Sequence, residues 1–356
     1  MSSQRWVYFF GGGGADGTRE QKSLLGGKGA NLAEMTRIGV PVPPGFTIST
    51  EACRHTMRHK SLPDGLISEV EANLRRTEEA TGKQFGGSTS PLLLSVRSGA
   101  AVSMPGMMDT ILNLGLNDHT VEALARESQN PRFAYDSYRR FVHMYGNVVL
   151  NIKGERFEHL LEEKKKERGI TLDTEMTADD LHDLVAQFKA VVQEATGNPF
   201  PNDPSEQLWG AISAVFDSWE TPRAKAYRRI NHISDDLGTA VNVMAMVFGN
   251  LGNDSGTGVA FTRDPSTGAH EFFGEFLVNA QGEDVVAGIR DPLPISQMAK
   301  HFPQAFSELL AAAKTLEQHY RDMQDLEFTV EKGKLYMLQT RSGKRSAAAA
   351  VRVAVE

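Results

Sequence analysis

Two carboxylates, an amide and a guanidinium stand at even spacing near the carboxyl end of this chain. They are Asp325, Glu327, Gln339 and Arg341, within Gln324-Asp-Leu-Glu-Phe-Thr-Val-Glu-Lys-Gly-Lys-Leu-Tyr-Met-Leu-Gln-Thr-Arg341. Side chains alternate along a strand, so the two acids share one face and Gln339 shares a face with Arg341. A two-residue loop at Lys332-Gly333 would carry the acid face on into Tyr336 and Leu338. A three-residue loop, Lys332-Gly333-Lys334, instead pairs Asp325 with Arg341, Glu327 with Gln339 and Phe328 with Leu338. It leaves Leu326, Phe328, Val330, Tyr336 and Leu338 on the apolar side, and this odd register is the expected one. Carboxylates roughly 7 Å apart repel by about 2.4 kcal/mol at an effective dielectric near 20, so positive charge belongs beside them. Arg341 supplies part of it, and Mg²⁺, which takes carboxylates together with phosphate oxygens, would supply the rest. Alone, the segment also reads as the solvated face of an ordinary hairpin.

Cations recur near the other end. In Leu24-Leu-Gly-Gly-Lys28-Gly-Ala-Asn-Leu-Ala-Glu-Met-Thr-Arg-Ile-Gly39, the residues Leu32, Met35 and Ile38 have helical spacing and Gly39 is a natural stop. A glycine-rich loop thus delivers Lys28 at a helix amino terminus, where free N–H groups favour anions. It is not a Walker loop, since Gly29 stands where Ser or Thr is required and Lys22 where the first glycine is. Arg97 interrupts the apolar strand Leu92-Leu-Leu-Ser-Val-Arg97, and a small-residue loop, Ser98-Gly-Ala-Ala-Val-Ser-Met-Pro-Gly106-Met-Met-Asp-Thr110, follows it. A buried arginine needs a partner, either a structural acid or a phosphate in a cleft.

The elements that must position these groups are of mixed type. Trp6 to Phe10 reads as a short strand entering a glycine turn, and residues from about Leu116 to Arg229 read as helical. In that stretch Thr177 and Asp180 form a capping box, and Gly169 ends a lysine-rich helix. Strand signals return at Thr239 to Gly249, Gly258 to Pro265 and Glu271 to Asp284. If the last is one continuous strand, Glu275, Asn279, Gln281 and Glu283 share a face. His143, His159, His182 and His232 lack metal-ligand spacing. Cys53, the single cysteine, reads as an inert residue at a helix start.

Bulk properties bound the function. The chain has 356 residues, 40% hydrophobic and 23% charged, enough for more than one compact unit. A net charge of −7 argues against nucleic-acid binding. No apolar run is long enough to cross a bilayer, and the amino terminus lacks the apolar core of a signal peptide. The expected location is intracellular, cytoplasmic by default, with a glycosome or plastid as alternatives.

Five blocks, in order, carry a family resemblance: Gly26-Gly-Lys-Gly-Ala-Asn-Leu-Ala-Glu-Met35, Ser95-Val-Arg-Ser-Gly-Ala100, Met104-Pro-Gly-Met-Met-Asp-Thr110, Asn279-Ala-Gln-Gly-Glu-Asp-Val-Val-Ala-Gly288, and Gln324-Asp-Leu-Glu-Phe through Leu338-Gln-Thr-Arg341. Together they resemble the amino-terminal domain of the pyruvate, phosphate dikinase family. The resemblance implies an α+β, ATP-grasp fold with an inserted helical subdomain, ATP as substrate and Mg²⁺ as cofactor. The implied reaction passes the β,γ-phosphates of ATP to a carrier histidine and releases AMP. Phosphate then takes one phosphoryl group, and pyruvate takes the other to become phosphoenolpyruvate. By motif, Lys28, Arg97 and Arg341 would hold the transferring phosphates and Asp325 and Glu327 the metal. Gln339, Glu275 and Glu283 would serve the nucleotide or metal site, and Gly106 with its neighbours would close over the phosphates. Met244 stands where the family commonly has glutamine near the adenine.

The same resemblance divides the chain into a first lobe (1–115), a helical subdomain (116–230), a second lobe (231–341) and the start of a linker (342–356). None of the ten histidines lies in a Thr-x-His-Ala context. The expected partners are therefore a phosphohistidine carrier domain and a pyruvate-binding barrel of a longer enzyme, which is expected to be a homodimer, with no nucleic acid and no membrane. Two alternatives stand beside this one. They are the nucleotide half of phosphoenolpyruvate synthase, which uses water in place of phosphate, and a non-catalytic nucleotide-binding regulatory module.

Overall fold

The structure, a computed structural model, describes residues 4–287 and 290–356, apart from the side chains of Glu283, Val286 and Ala287. Its strands are β1 (Val7–Gly11), β2 (Gly14–Ala15), β3 (Gly45–Ile48), β4 (Gln84–Phe85), β5 (Pro91–Leu92), β6 (Leu94–Ala100), β7 (Thr110–Leu114), β8 (Thr239–Ala245), β9 (Gly256–Phe261), β10 (Phe273–Val278), β11 (Leu293–Pro294), β12 (Gln324–Glu331) and β13 (Lys334–Ser342). Its α-helices are α1 (Lys22–Arg37), α2 (Thr50–His59), α3 (Leu66–Thr81), α4 (Thr120–Ser128), α5 (Pro131–Val148), α6 (Glu155–Arg168), α7 (Ala178–Thr196), α8 (Pro204–Ser218), α9 (Pro222–Ile230), α10 (Gly282–Ala287), α11 (Met298–His301), α12 (Pro303–Tyr320) and α13 (Ala347–Val355). This is a mixed arrangement of helices and sheets. The chain divides into two compact units, one of Met1–Phe9, Gln21–Gly29 and Pro44–Met246, the other of Phe10–Glu20, Ala30–Pro43 and Val247–Glu356.

A six-stranded sheet has the order β2-β1-β3-β8-β6-β7, and its strands β3, β8, β6 and β7 lie in the first unit. One transverse row, Ile111, Val96, Val243 and Phe46, is fully buried and forms the apolar side of this sheet. β8 lies between β3 and β6, not among the later strands with which its position in the chain groups it. All seven of its residues are buried, the signature of a central strand, and pairing on both sides satisfies its backbone. The run 120–230 is helical, as its periodicity predicts. Asn130 caps α5 ahead of Pro131, Thr177 and Asp180 form the expected capping box on α7, and Gly169 ends α6 in the left-handed region. Within α5 the buried Asp136 accepts from Arg139 Nη2 at 2.6 Å and Arg140 Nε at 3.1 Å.

The second unit has a five-stranded sheet of order β11-β10-β9-β12-β13. Leu326, Phe328, Val330, Leu335 and Met337 are at most 1% exposed and form its inner face, and α12 packs against β12 and β13. The second half of α1 belongs here. Asn31 Nδ2 donates to Thr340 O at 2.7 Å, Glu34 Oε1 meets His319 Nε2 at 2.6 Å, and Gly39 closes the helix at φ 81°.

The β12–β13 hairpin corrects part of its expected register. Asp325 pairs with Arg341 and Glu327 with Gln339, as predicted. The loop, however, has two residues: Lys332 (φ 48°) and Gly333 (φ 76°) make the left-handed turn that suits the twist of a hairpin. Phe328 then pairs with Met337, and a bulge between Glu327 and Phe328 absorbs Leu338. Leu335 and Met337 therefore fill the core in place of Tyr336 and Leu338, which are half-buried. An extra residue in one strand segregates polar from apolar as well as an odd loop does.

Candidate functional site

Cross-strand partners share a sheet face, so register alone places the acids of the second unit. Glu275 pairs with Val259, Val259 with Glu327, and Glu327 with Gln339, forming one row across four strands. The next row is Phe273, Phe261, Asp325 and Arg341. Glu275 and Glu327 stand two strand spacings apart, roughly 9–10 Å. In these rows the carboxylates of Glu275, Asp325 and Glu327 share a sheet face with the guanidinium of Arg341. Asp325, 7% exposed, accepts from Arg341 Nε at 2.7 Å, and Glu327 Oε1 accepts from Gln339 Nε2 at 3.0 Å. Hard carboxylate oxygens presented from rigid strands fit Mg²⁺ better than a soft metal. Among the described residues no group of three or more His, Cys, Asp or Glu is close enough to hold a metal by itself. An ion here would keep coordination positions for phosphate or water.

One expectation fails on this face. The strand that holds Glu275 stops at Val278, because Asn279 turns into the left-handed region (φ 50°) and Gln281 leads into α10. Glu275, Asn279 and Gln281 therefore do not line a single strand. The side chain of Glu283 lies outside the described residues.

In the first unit, α1 breaks at Gly26, whose φ of 69° and ψ of 169° are not helical. A Cβ there would sit 1.7 Å from Gly99 O, so only glycine lets the loop touch β6. The helix resumes at Gly27, and Lys28 lies in its first turn, as predicted. Arg97 belongs to a transverse row of Thr110, Arg97, Asn242 and Thr47. Gly99 is two residues along the same face, and a Cβ on it would lie 3.7 Å from Lys28 Cβ. Lys28 and Arg97 thus leave the backbone at adjoining points. Met244, 3% exposed, occupies this face next to Asn242 and pairs with Ser95 and Gly45.

Gly106 tops an exposed turn in which Met107 N donates to Met104 O at 3.2 Å, with Pro105 before a glycine at φ 70°. Met104 packs on Trp219 and Ala224, Met107 and Met108 join that cluster, and Arg223 bonds Asp109. The loop between β6 and β7 is therefore held by the α9 region, a tether that no spacing in the sequence announces. Asn242 is likewise absent from the candidates, although a polar residue inside the apolar run of β8 was a usable signal. Burial pushes the Cys53 thiol up to about 12, so it is an inert core residue.

The pyruvate phosphate dikinase AMP/ATP-binding domain model matches residues 22–69, 61–300 and 297–356. Similar proteins include a pyruvate, phosphate dikinase of Rhizobium meliloti, 55% identical over 99% of this chain and 41% of its own length. Pyruvate, phosphate dikinase 2 of Zea mays is 58% identical over 100% of this chain and 40% of its own length. The Clostridium symbiosum pyruvate, phosphate dikinase is 54% identical over 99% and 40%. The chain thus spans about two fifths of the length of these relatives. It belongs to the pyruvate phosphate dikinase AMP/ATP-binding domain family.

Proposed function

We propose that this chain is the nucleotide-binding, phosphoryl-transferring part of a pyruvate, phosphate dikinase, folded as an ATP-grasp domain with a helical subdomain inserted. The supporting observation is the sheet face on which Glu275, Glu327 and Gln339 form one row and Asp325 and Arg341 the next. Acids on rigid strands beside one guanidinium suit Mg-ATP, because phosphoryl transfer is catalysed mainly by orientation and charge stabilisation. Mg²⁺, held by Asp325 and Glu327, would neutralise charge on the phosphates. Lys28 and Arg97 bind the transferring phosphates in the first unit, and Arg341 in the second. Gln339, Glu275 and Glu283 orient the nucleotide or support the metal, and the loop at Gly106 closes over the phosphates.

The acceptor is a histidine on a carrier domain. Its imidazole nitrogen takes the β,γ-phosphates while the bond to the AMP oxygen breaks. Phosphate then accepts the γ-phosphoryl group, and a pyruvate-binding barrel completes the reaction in what we infer to be a homodimeric enzyme. Calorimetric titration of the chain with Mg-ATP tests the site. Binding should be lost when EDTA is present and weakened about tenfold or more in Asp325→Asn/Glu327→Gln. Equal affinity for ATP with and without metal would overturn the reading. In the full enzyme, transfer that ignores inorganic phosphate would assign the chain to a synthase instead.

A further inference from the structure

A buried amide lies beneath both basic segments of the first unit. Asn242 and Thr47 are each 1% exposed and share the transverse row of Arg97. Thr47 Oγ1 donates to Asn242 Oδ1 at 2.9 Å, and Asn242 Nδ2 donates to Arg97 O at 3.4 Å. Two glycines close over this pair. A Cβ on Gly29 would meet Thr47 Oγ1 at 2.7 Å and Asn242 Oδ1 at 2.8 Å, and a Cβ on Gly99 would meet Asn242 Nδ2 at 2.5 Å. The carboxamide oxygen therefore packs beneath the helical turn that carries Lys28, and its nitrogen bonds the strand that carries Arg97. An amide in the middle of a central apolar strand costs free energy unless both ends are satisfied, and a valine like its neighbours Val241 and Val243 would avoid that cost.

We propose that Asn242, oriented by Thr47, is a positioning residue that fixes the separation of Lys28 and Arg97 and so matches them to the phosphate chain. This rests on the functional reading above. Asn242 touches no phosphate in this account and acts through the two backbones it spaces. Its hydrogen bond from Thr47 sets which way the carboxamide faces, so the hydroxyl of Thr47 is part of the device.

The test compares the full chain with its Asn242→Ala, Thr47→Val and Thr47→Ser variants, and with Val243→Ala as a core control on the opposite face. Three quantities are read: Mg-ATP affinity, single-turnover AMP release with an added carrier domain, and the thermal midpoint. Asn242→Ala should slow transfer roughly ten- to a hundredfold, because small misplacements of phosphate-holding groups act mainly on the transfer step. Thr47→Val should lose less, and Thr47→Ser, which keeps the hydroxyl, should return to within about twofold of the parent. Val243→Ala should lower the midpoint without that loss of rate. Transfer in Asn242→Ala within about twofold of the parent, or an equal loss in Val243→Ala, would overturn the inference alone. A parent chain that takes no Mg-ATP would sink the functional reading and this inference together.

Discussion

Arg341 Nε donates to Asp325 Oδ2 at 2.7 Å across the sheet, with the aspartate buried and the arginine exposed. A buried acid facing one exposed cation is poised to exchange that cation for another ligand. Arg341→Ala removes the partner of Asp325 and, under the proposed function, a hydrogen-bond donor to the phosphates. We expect Mg-ATP affinity or transfer to fall by about 1.5–3 kcal/mol, roughly ten- to a hundredfold, with the fold retained. Calorimetry and single-turnover AMP release check it. Unchanged values in both would remove Arg341 from the site.

Leu338 is the residue absorbed by the bulge between the site end of the hairpin and its turn. Deleting it would remove the bulge and leave Phe328 opposite Met337, Glu327 opposite Gln339 and Asp325 opposite Arg341, so that Gln339, Thr340 and Arg341 keep their faces. The deletion variant should therefore keep Mg-ATP affinity to within about tenfold of the parent, as read by calorimetry. Loss of Mg-ATP binding in a folded deletion variant would show that the bulge itself shapes the site.

The helical region should have an acid-sensitive stability of its own. Burial alone would raise the Asp136 carboxyl, but Arg139 and Arg140 outweigh it and hold the group well below its ordinary 3.8. A carboxylate depressed on folding stabilises the native state above its unfolded pKa, and that contribution fades as pH falls toward the folded value. Asp136→Asn should therefore cost about 3–5 kcal/mol near neutrality, and the gap from the parent should begin to shrink below about pH 4. Guanidinium denaturation at pH 7 and pH 3 measures it. A gap that is the same at both pH values would contradict the assignment.

Much of this architecture is legible in local chemistry. Gly39, Gly169 and the Thr177–Asp180 pair act through neighbours a few residues away, so their roles as stops and caps can be read directly. Non-local pairing was harder to read. Nothing near Thr239–Ala245 says that this strand lies between β3 and β6, because its partners are far along the chain. The hairpin was half legible. Alternation required that Asp325 meet Arg341, but a bulge and an odd loop satisfy that requirement equally, and only packing chose the bulge. A continuous strand would group Glu275 with Asn279, Gln281 and Glu283, but Asn279 interrupts it, and the link of Glu275 to Glu327 runs sideways through Val259.

The proposed function has this chain deliver the β,γ-phosphates of ATP to the histidine of a carrier domain. Radiolabelled ATP with and without an added carrier domain tests that delivery, read as AMP release and acid-labile label. Mg-ATP binding without the carrier is expected, with no phosphoenolpyruvate and no label on this chain. Metal-dependent labelling of an added, untethered carrier should be slow, because only a linked domain is held near millimolar effective concentration. Label accumulating on this chain without the carrier, or dikinase turnover by this chain alone, would contradict it.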